Sequence, residues 1–242
     1  MKPFLLLATR DHDEAADREY DSILRHAGLD RASLHRVRVE AEPLPAIDLD
    51  AYAGVFLGGS AFTISDTDKT DLQRRVEADL SQLIDRIVDA DVPFFGMCYG
   101  VGTIVTHLGG VVDRTYGEPI SAPRITVTED GAADPLLAGM PSTFHAFVGH
   151  KEACNGNPPG ATLLATGQAC PVQMFRVGRN VYVTQFHPEL DADDLITRMR
   201  IYQHAGYFRP DELEPLIEMA RTSPVNGAQH RLLRNFVERY AS

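Results

Sequence analysis

Cys98 sits in Val92-Pro93-Phe94-Phe95-Gly96-Met97-Cys98-Tyr99-Gly100, where an apolar run stops on a cysteine with glycines two residues before and two after. Gly-x-nucleophile-x-Gly is the pattern of a sharp strand-to-helix turn that holds a nucleophile exposed above a sheet. Small neighbours let backbone segments approach closely. A second run, Val181-Tyr182-Val183-Thr184-Gln185-Phe186-His187-Pro188-Glu189, ends on a histidine with a carboxylate two residues later. In extended chain, residues two apart share a face. His187 and Glu189 can therefore form an imidazole–carboxylate pair stiffened by Pro188. A thiol reacts as its thiolate, which a helix N-terminus and a nearby imidazole both favour. The chain thus offers a nucleophile, a base and an orienting acid in the order Cys98, His187, Glu189. Acyl transfer also needs donors for an oxyanion. The Tyr99 N–H follows the nucleophile, and Gly58-Gly59-Ser60, read as a turn after another strand, offers Gly59 as the second.

These pieces must be set at one edge of a sheet. Residues 4–8 read as a first strand, 14–27 as a helix stopped by Gly28, 34–39 as a strand, and 54–57 as a short buried strand. Residues 69–89 carry a helical stripe (Leu72, Val76, Leu80, Leu83, Ile84, Ile87), 93–97 the strand before Cys98, and 99–107 the helix after it. This alternation predicts an α/β fold in three layers, a mostly parallel central sheet flanked by helices. Its carboxyl edge is where such folds place their sites. The second half predicts short strands over 125–128, 143–148, 162–165, 172–177 and 181–185, the last two as a hairpin across Gly178-Arg179-Asn180. Helical patterns follow at 193–205, 211–221 and 229–240. The expected division is a domain over 1–190 and a helical C-terminal extension over 191–242, packed on the same domain.

The 242 residues suffice for a sizeable core, and 44% hydrophobic with 24% charged residues is ordinary for a globular chain. A net charge of -11 argues against nucleic acid or an anionic membrane as partner. The N-terminal apolar stretch is too short for a secretory signal and meets Asp11-His12-Asp13-Glu14 at once. No run approaches the ~18 apolar residues of a membrane span. Three cysteines, Cys98, Cys154 and Cys170, make no disulfide framework and fit a cytoplasmic protein. Cys154 and Cys170 read as small buried hydrophobes. Neither a dinucleotide fingerprint nor a phosphate loop is present, and His145, His150 and Glu152 lack a metal-ligand spacing. No cofactor and no metal are expected.

With these motifs the sequence resembles the class I glutamine amidotransferases. Gly96-Met97-Cys98-Tyr99-Gly100 matches that family's Gly-x-Cys-x-Gly-x-Gln except at its end, and Gln185-Phe186-His187-Pro188-Glu189 matches its histidine motif fully. Cys170-Pro171-Val172-Gln173-Met174-Phe175 resembles the strand ahead of it. The resemblance covers residues 1–190 and is greatest to the amidotransferase domain of GMP synthase and its stand-alone relatives. It implies the flavodoxin-like fold of the family and a glutaminase reaction through a γ-glutamyl thioester on Cys98. His187, held by Glu189, would serve as acid and base, and Gly59 and Tyr99 would form the oxyanion hole. Gly58, Gly102 and His150 would bind substrate, and ammonia would pass to a separate synthetase. No Ser-Gly-Gly-x-Asp-Ser loop of an ATP-pyrophosphatase is found in the chain. Two departures stand out. Gly102 replaces the family glutamine, and Gly149-His150-Lys151-Glu152 replaces the Ser-His-Gly-Asp-like loop. They motivate an alternative, a γ-glutamyl hydrolase acting on a non-glutamine γ-glutamyl amide; a catalytically weak regulatory homologue is a third reading. The helical extension is expected to serve packing, homodimerisation or partner docking.

Overall fold

The computed structural model describes residues 2–241. Its first half is built from β1 (Phe4–Thr9), α1 (Asp13–Ala27), β2 (Leu34–Arg38), β3 (Gly54–Ser60), α2 (Asp71–Asp89), β4 (Phe94–Met97) and α3 (Tyr99–His107). The second half adds β5 (Val112–Asp113), β6 (Glu118–Ser121), β7 (Arg124–Val127), α4 (Glu129–Ala133), β8 (Thr143–His145), β9 (Val148–His150), β10 (Ala153–Cys154), β11 (Thr162–Gly167), β12 (Met174–Val177) and β13 (Val181–Thr184). Three helices follow: α5 (Ala192–Ile201), α6 (Leu213–Thr222) and α7 (Arg231–Tyr240).

Nine strands form one sheet in the order β2-β1-β3-β4-β13-β12-β11-β7-β8. The pairings from β2 to β13 are parallel, and those from β13 to β8 antiparallel. The expected three-layer α/β architecture is thus present. β1 is buried along its whole length, as a central parallel strand covered on both faces must be. The end of α1 falls where anticipated, and α2 starts two residues later than the expected 69. Gly28 closes α1 at φ 73°, and Thr70 caps α2 by accepting from the Gln73 N–H.

Two expectations are corrected. Gly58-Gly59-Ser60 is not a turn but the end of β3. The expected strand over 143–148 is two strands, β8 and β9, in different sheets. Between them Phe147 leaves the β8 line and bridges to His187.

Two apolar layers cover the sheet. One centres on Phe4, Phe56, Phe95 and Met97, the other on Leu5, Leu57, Leu80, Ile84 and Val183. α7 belongs to the first layer. Phe236 is fully buried, with ring centroids 6.0, 5.1 and 5.6 Å from Phe4, Phe56 and Phe95. Phe236→Ala is expected to cost about 3–5 kcal/mol. That lowers Tm by roughly 10 °C for a chain of this size, to be checked by thermal melting. No helix among the described residues is long and apolar enough to cross a membrane.

Candidate active site

β4 and β13 lie side by side in register, Met97 opposite Thr184, so both strands deliver their next residues to the same edge. Cys98 follows Met97 directly, and its N–H donates to the Thr184 carbonyl at 2.7 Å. Cys98 takes φ 53°, ψ -82° and caps α3. With Asp91 it is one of two non-glycine residues at positive φ among those described. A Cβ on Gly96 would come within 3.0 Å of the Gly100 Cα and 2.9 Å of Phe94 and Val183 atoms, so the elbow needs its first glycine.

His187 is fixed by its backbone, whose N–H donates to the Phe147 carbonyl at 2.9 Å. Its Nδ1 lies 2.8 Å from Glu189 Oε1, which sets the proton on Nδ1 and leaves Nε2 to accept one. His187 and Cys98 line the same recess. Glu189 is fully buried and also accepts from both terminal nitrogens of Arg198 on α5, at 3.2 Å each. Its carboxyl is held far below the usual range: burial pushes it up, but His187 and Arg198 overcome that. Burial is also the main cause that lowers the His187 pKa. Glu189 opposes it, while Arg198 and Arg10 add to it. The Cys98 thiol is pushed up to about 12, chiefly by burial, against the pull of Arg10 and Arg198. Cys98 nevertheless keeps part of its surface open. The resting pair is therefore a thiol beside a neutral imidazole, suited to general-base activation as substrate arrives.

A buried chain of alternating charge extends from this pair. Arg198 lies 3.7 Å from Glu19 Oε1, and Arg10 Nε donates to the same oxygen at 2.8 Å. Sequence reasoning did not single out Arg10, Glu19 or Arg198. Only Arg10 carried a signal, as a charge at the carboxyl end of a strand in a parallel sheet. Gln185 was quoted only within its motif; its Nε2 stands 3.9 Å from Cys98 Sγ.

The expected oxyanion donors fare differently. The Tyr99 N–H opens α3, where the helix provides no partner for it. The Gly59 N–H instead donates to the buried Glu19 Oε1 at 3.2 Å. At Gly58 a Cβ would lie 2.2 Å from Glu19 Oε2, so this glycine makes room for the carboxylate. His150 borders the second recess at Cys98, but its ring is engaged with the Glu152 carbonyl and with Glu118, at 2.8 and 3.0 Å. Gln173 donates to the same Glu118 oxygen at 2.7 Å. Glu118, His150 and Cys170 place ligand-type atoms within 4.8 Å of one another, a convergence their sequence spacing conceals.

Gly102 lines the second recess with Tyr99, and the space above it is filled by Ile64. A Cβ at 102 would meet Ile64 Cδ1 at 2.9 Å. Ile64 is held in place because Glu152 accepts from the N–H groups of Ile64 and Ser65, at 2.7 Å each. Restoring the family glutamine is therefore expected to fail alone and succeed in pair. Gly102→Gln lowers Tm by a few degrees, as overpacking by roughly 1–3 kcal/mol requires. Gly102→Gln with Ile64→Ala recovers most of that loss in the same melting assay.

The comparisons agree with the architecture. The family model for class-I glutamine amidotransferases matches residues 19–198. The chain belongs to this family, a class of cysteine-dependent amidotransferases. Among curated proteins, the chain is 35% identical over 117 residues to a GMP synthase (glutamine-hydrolyzing) of Streptomyces avermitilis, a match covering 48% of this chain and 22% of that protein. It is 31% identical over 107 residues to the GMP synthase of Bacillus mycoides, covering 44% and 20%. The matched part is thus about a fifth of those relatives' length. A glutamine amidotransferase from Thermotoga maritima superposes with TM-score 0.78 at 22% identity, covering 100% of this chain and 99% of that one. A protein of Thermoplasma acidophilum described as one subunit of a GMP synthase gives 0.66 at 21%, covering 100% and 96%. These two likenesses speak for the fold.

Proposed function

We propose that the chain hydrolyses a γ-glutamyl amide, with glutamine as the reference substrate, through a thioester on Cys98. The observation that carries this reading is the convergence of Cys98, at a helix N-terminus, with a His187–Glu189 pair in one recess. Cys98 Sγ gives its proton to His187 Nε2 and bonds to the amide carbon. The Tyr99 N–H faces the oxyanion, and Gly59 joins it when Glu19 releases its N–H. His187 passes the proton to the leaving nitrogen, and the C–N bond breaks. Water, deprotonated by His187, then cleaves the thioester to glutamate and returns the thiol. Relatives named as GMP synthase support a separate synthetase as acceptor of the ammonia. Three free thiols fit a cytoplasmic setting.

Purified protein incubated with glutamine, alone and with the synthetase component of a GMP synthase, is expected to release glutamate, and Cys98→Ala is expected to release none. Equal release by both proteins would sink the reading, as would the absence of Cys98-dependent glutamate from glutamine and from every other γ-glutamyl amide offered.

A further inference from the structure

Cys98 borders two recesses that differ in chemistry. The one shared with Tyr99 and Gly102 carries polar groups from the Gly149–Glu152 loop and from Gln185 between the apolar walls of Phe62, Val101 and Val112. The other contains His187 and is walled by Ile120, Val148, Leu190, Leu195, Met199 and Phe208. On the proposed mechanism the leaving nitrogen must lie within reach of His187, which protonates it. The glutamyl half of the substrate then occupies the recess that carries the loop's polar groups, and whatever the nitrogen carries enters the apolar one that holds His187. Ammonia carries nothing and gains nothing from six apolar walls, whereas an alkyl or aryl group gains by leaving water there.

The same recess is lined by two guanidiniums, and Arg198 is engaged through both terminal nitrogens with Glu189, which leaves Arg10. Arg10 is 4% exposed and lines it beside Cys98. Its Nε edge is bonded to Glu19. Its Nη2 reaches past Gly59, 2.4 Å from where a Cβ on that residue would stand and on the same side as His187 Cε1. A guanidinium in an apolar recess recognises a carboxylate better than any neutral group, since the bond is charge-assisted and shielded from water. Tyr207 borders both recesses, with Lys151 Nζ 4.4 Å from its ring centroid and donating to the Ala205 carbonyl at 3.1 Å. These contacts hold the segment carrying Tyr207 and Phe208 against the site.

We propose that the apolar recess is a leaving-group subsite for amines that bear a carboxylate, with Arg10 reading that carboxylate, so that the favoured substrates are γ-glutamyl derivatives of apolar amino acids. This rests on the thioester reading above. The chemistry balances without any co-reactant other than water. The γ-carbonyl C–N bond breaks as the C–S bond forms, and the amino acid leaves with the proton from Cys98. Water then gives its hydroxyl to the acyl carbon and its proton back to the thiol.

The test compares kcat/KM for γ-glutamyl-leucine, γ-glutamyl-3-methylbutylamide and glutamine. The second compound keeps the leucine skeleton and lacks only the carboxylate. The dipeptide is expected to exceed glutamine by at least about tenfold, and the carboxylate-free amide by about tenfold. Arg10→Gln is expected to bring the dipeptide-to-amide ratio close to one, whereas a merely structural defect would lower both and keep the ratio. Met199→Trp, which fills the recess, is expected to lower the dipeptide-to-glutamine ratio. Glutamine as the best substrate, or a ratio unmoved by Arg10→Gln, overturns the subsite while leaving the thioester reading intact. No Cys98-dependent glutamate from any of the three removes both.

Discussion

Cys98→Gly is expected to release no glutamate from any γ-glutamyl amide and to melt above the parent protein. The loss of activity follows from removing the nucleophile, a change of at least about 10⁴-fold in enzymes of this logic. The gain in stability follows from the backbone. Cys98 is held at φ 53°, ψ -82°, a region in which a Cβ crowds its own chain. Holding a non-glycine residue so costs about 1–3 kcal/mol. Glycine relieves that strain, while its freer unfolded chain takes back roughly 0.5–1 kcal/mol. The net gain, on the order of 1 kcal/mol, corresponds to about 2–4 °C in Tm. Cys98→Ala is the control. It retains a Cβ at the same φ, so it is expected to be equally inactive without the rise. The packing around the elbow says what maintains the strain: the Cys98 N–H is tied to Thr184 on β13, and Gly96 and Gly100 lie too close for a Cβ at 96. If Cys98→Gly melts below Cys98→Ala, the elbow is not strained and its geometry is merely local.

The elbow and the His187 segment were legible because each is a local event, an apolar run ending on a reactive side chain, and the parallel register of β4 and β13 brings the two ends together. The β1–α3 alternation was legible for the same reason. What was not legible depends on residues far apart in the chain. Gly58 and Gly59 read as a turn, because glycines after an apolar run usually are one. They are glycines inside β3 because the space a side chain would need is taken at Gly58 by the Glu19 carboxylate, delivered by α1, and at Gly59 by Arg10 and His187. Arg198 falls within the helical pattern expected over 193–205, and nothing local singles it out. It is 188 residues from Arg10, and only folding places both against Glu19. The family model itself runs on to residue 198. Glu189 and its partner Arg198 on α5 both fall within that match. The strand over 143–148 failed in another way. Alternation continues through Ala146, but Phe147 is drawn out to hold the His187 backbone. The small elements β5, β10 and α4 are too short to leave any periodic trace.

That partner gives the second large effect. Arg198→Met is expected to lower kcat about tenfold and to move the acid limb of kcat/KM upward by on the order of one pH unit. The limb reports the ionisation of the imidazole that must be neutral to accept the Cys98 proton. Arg198 Nη1 stands 3.2 Å from His187 Nδ1 and disfavours the imidazolium, which is one cause of the lowered His187 pKa. Removing that cation makes the imidazolium easier to form. It also frees the full charge of Glu189, now without Arg198 at 3.2 Å, to favour the same state. Both changes raise the His187 pKa, so the variant loses most activity below neutrality and least at high pH. The fall in kcat has a separate origin. Glu189 loses its anchor on α5, and the ring it orients is less well held. Arg198→Lys keeps the cation with one contact in place of two and is expected to return the limb most of the way to its original position. Arg198 acts in this scheme as a positioning residue, through Glu189 and the field on His187. A uniform loss at every pH, with no rescue by lysine, would reduce it to a packing residue of α5 and leave the lowered pKa of His187 to burial and Arg10.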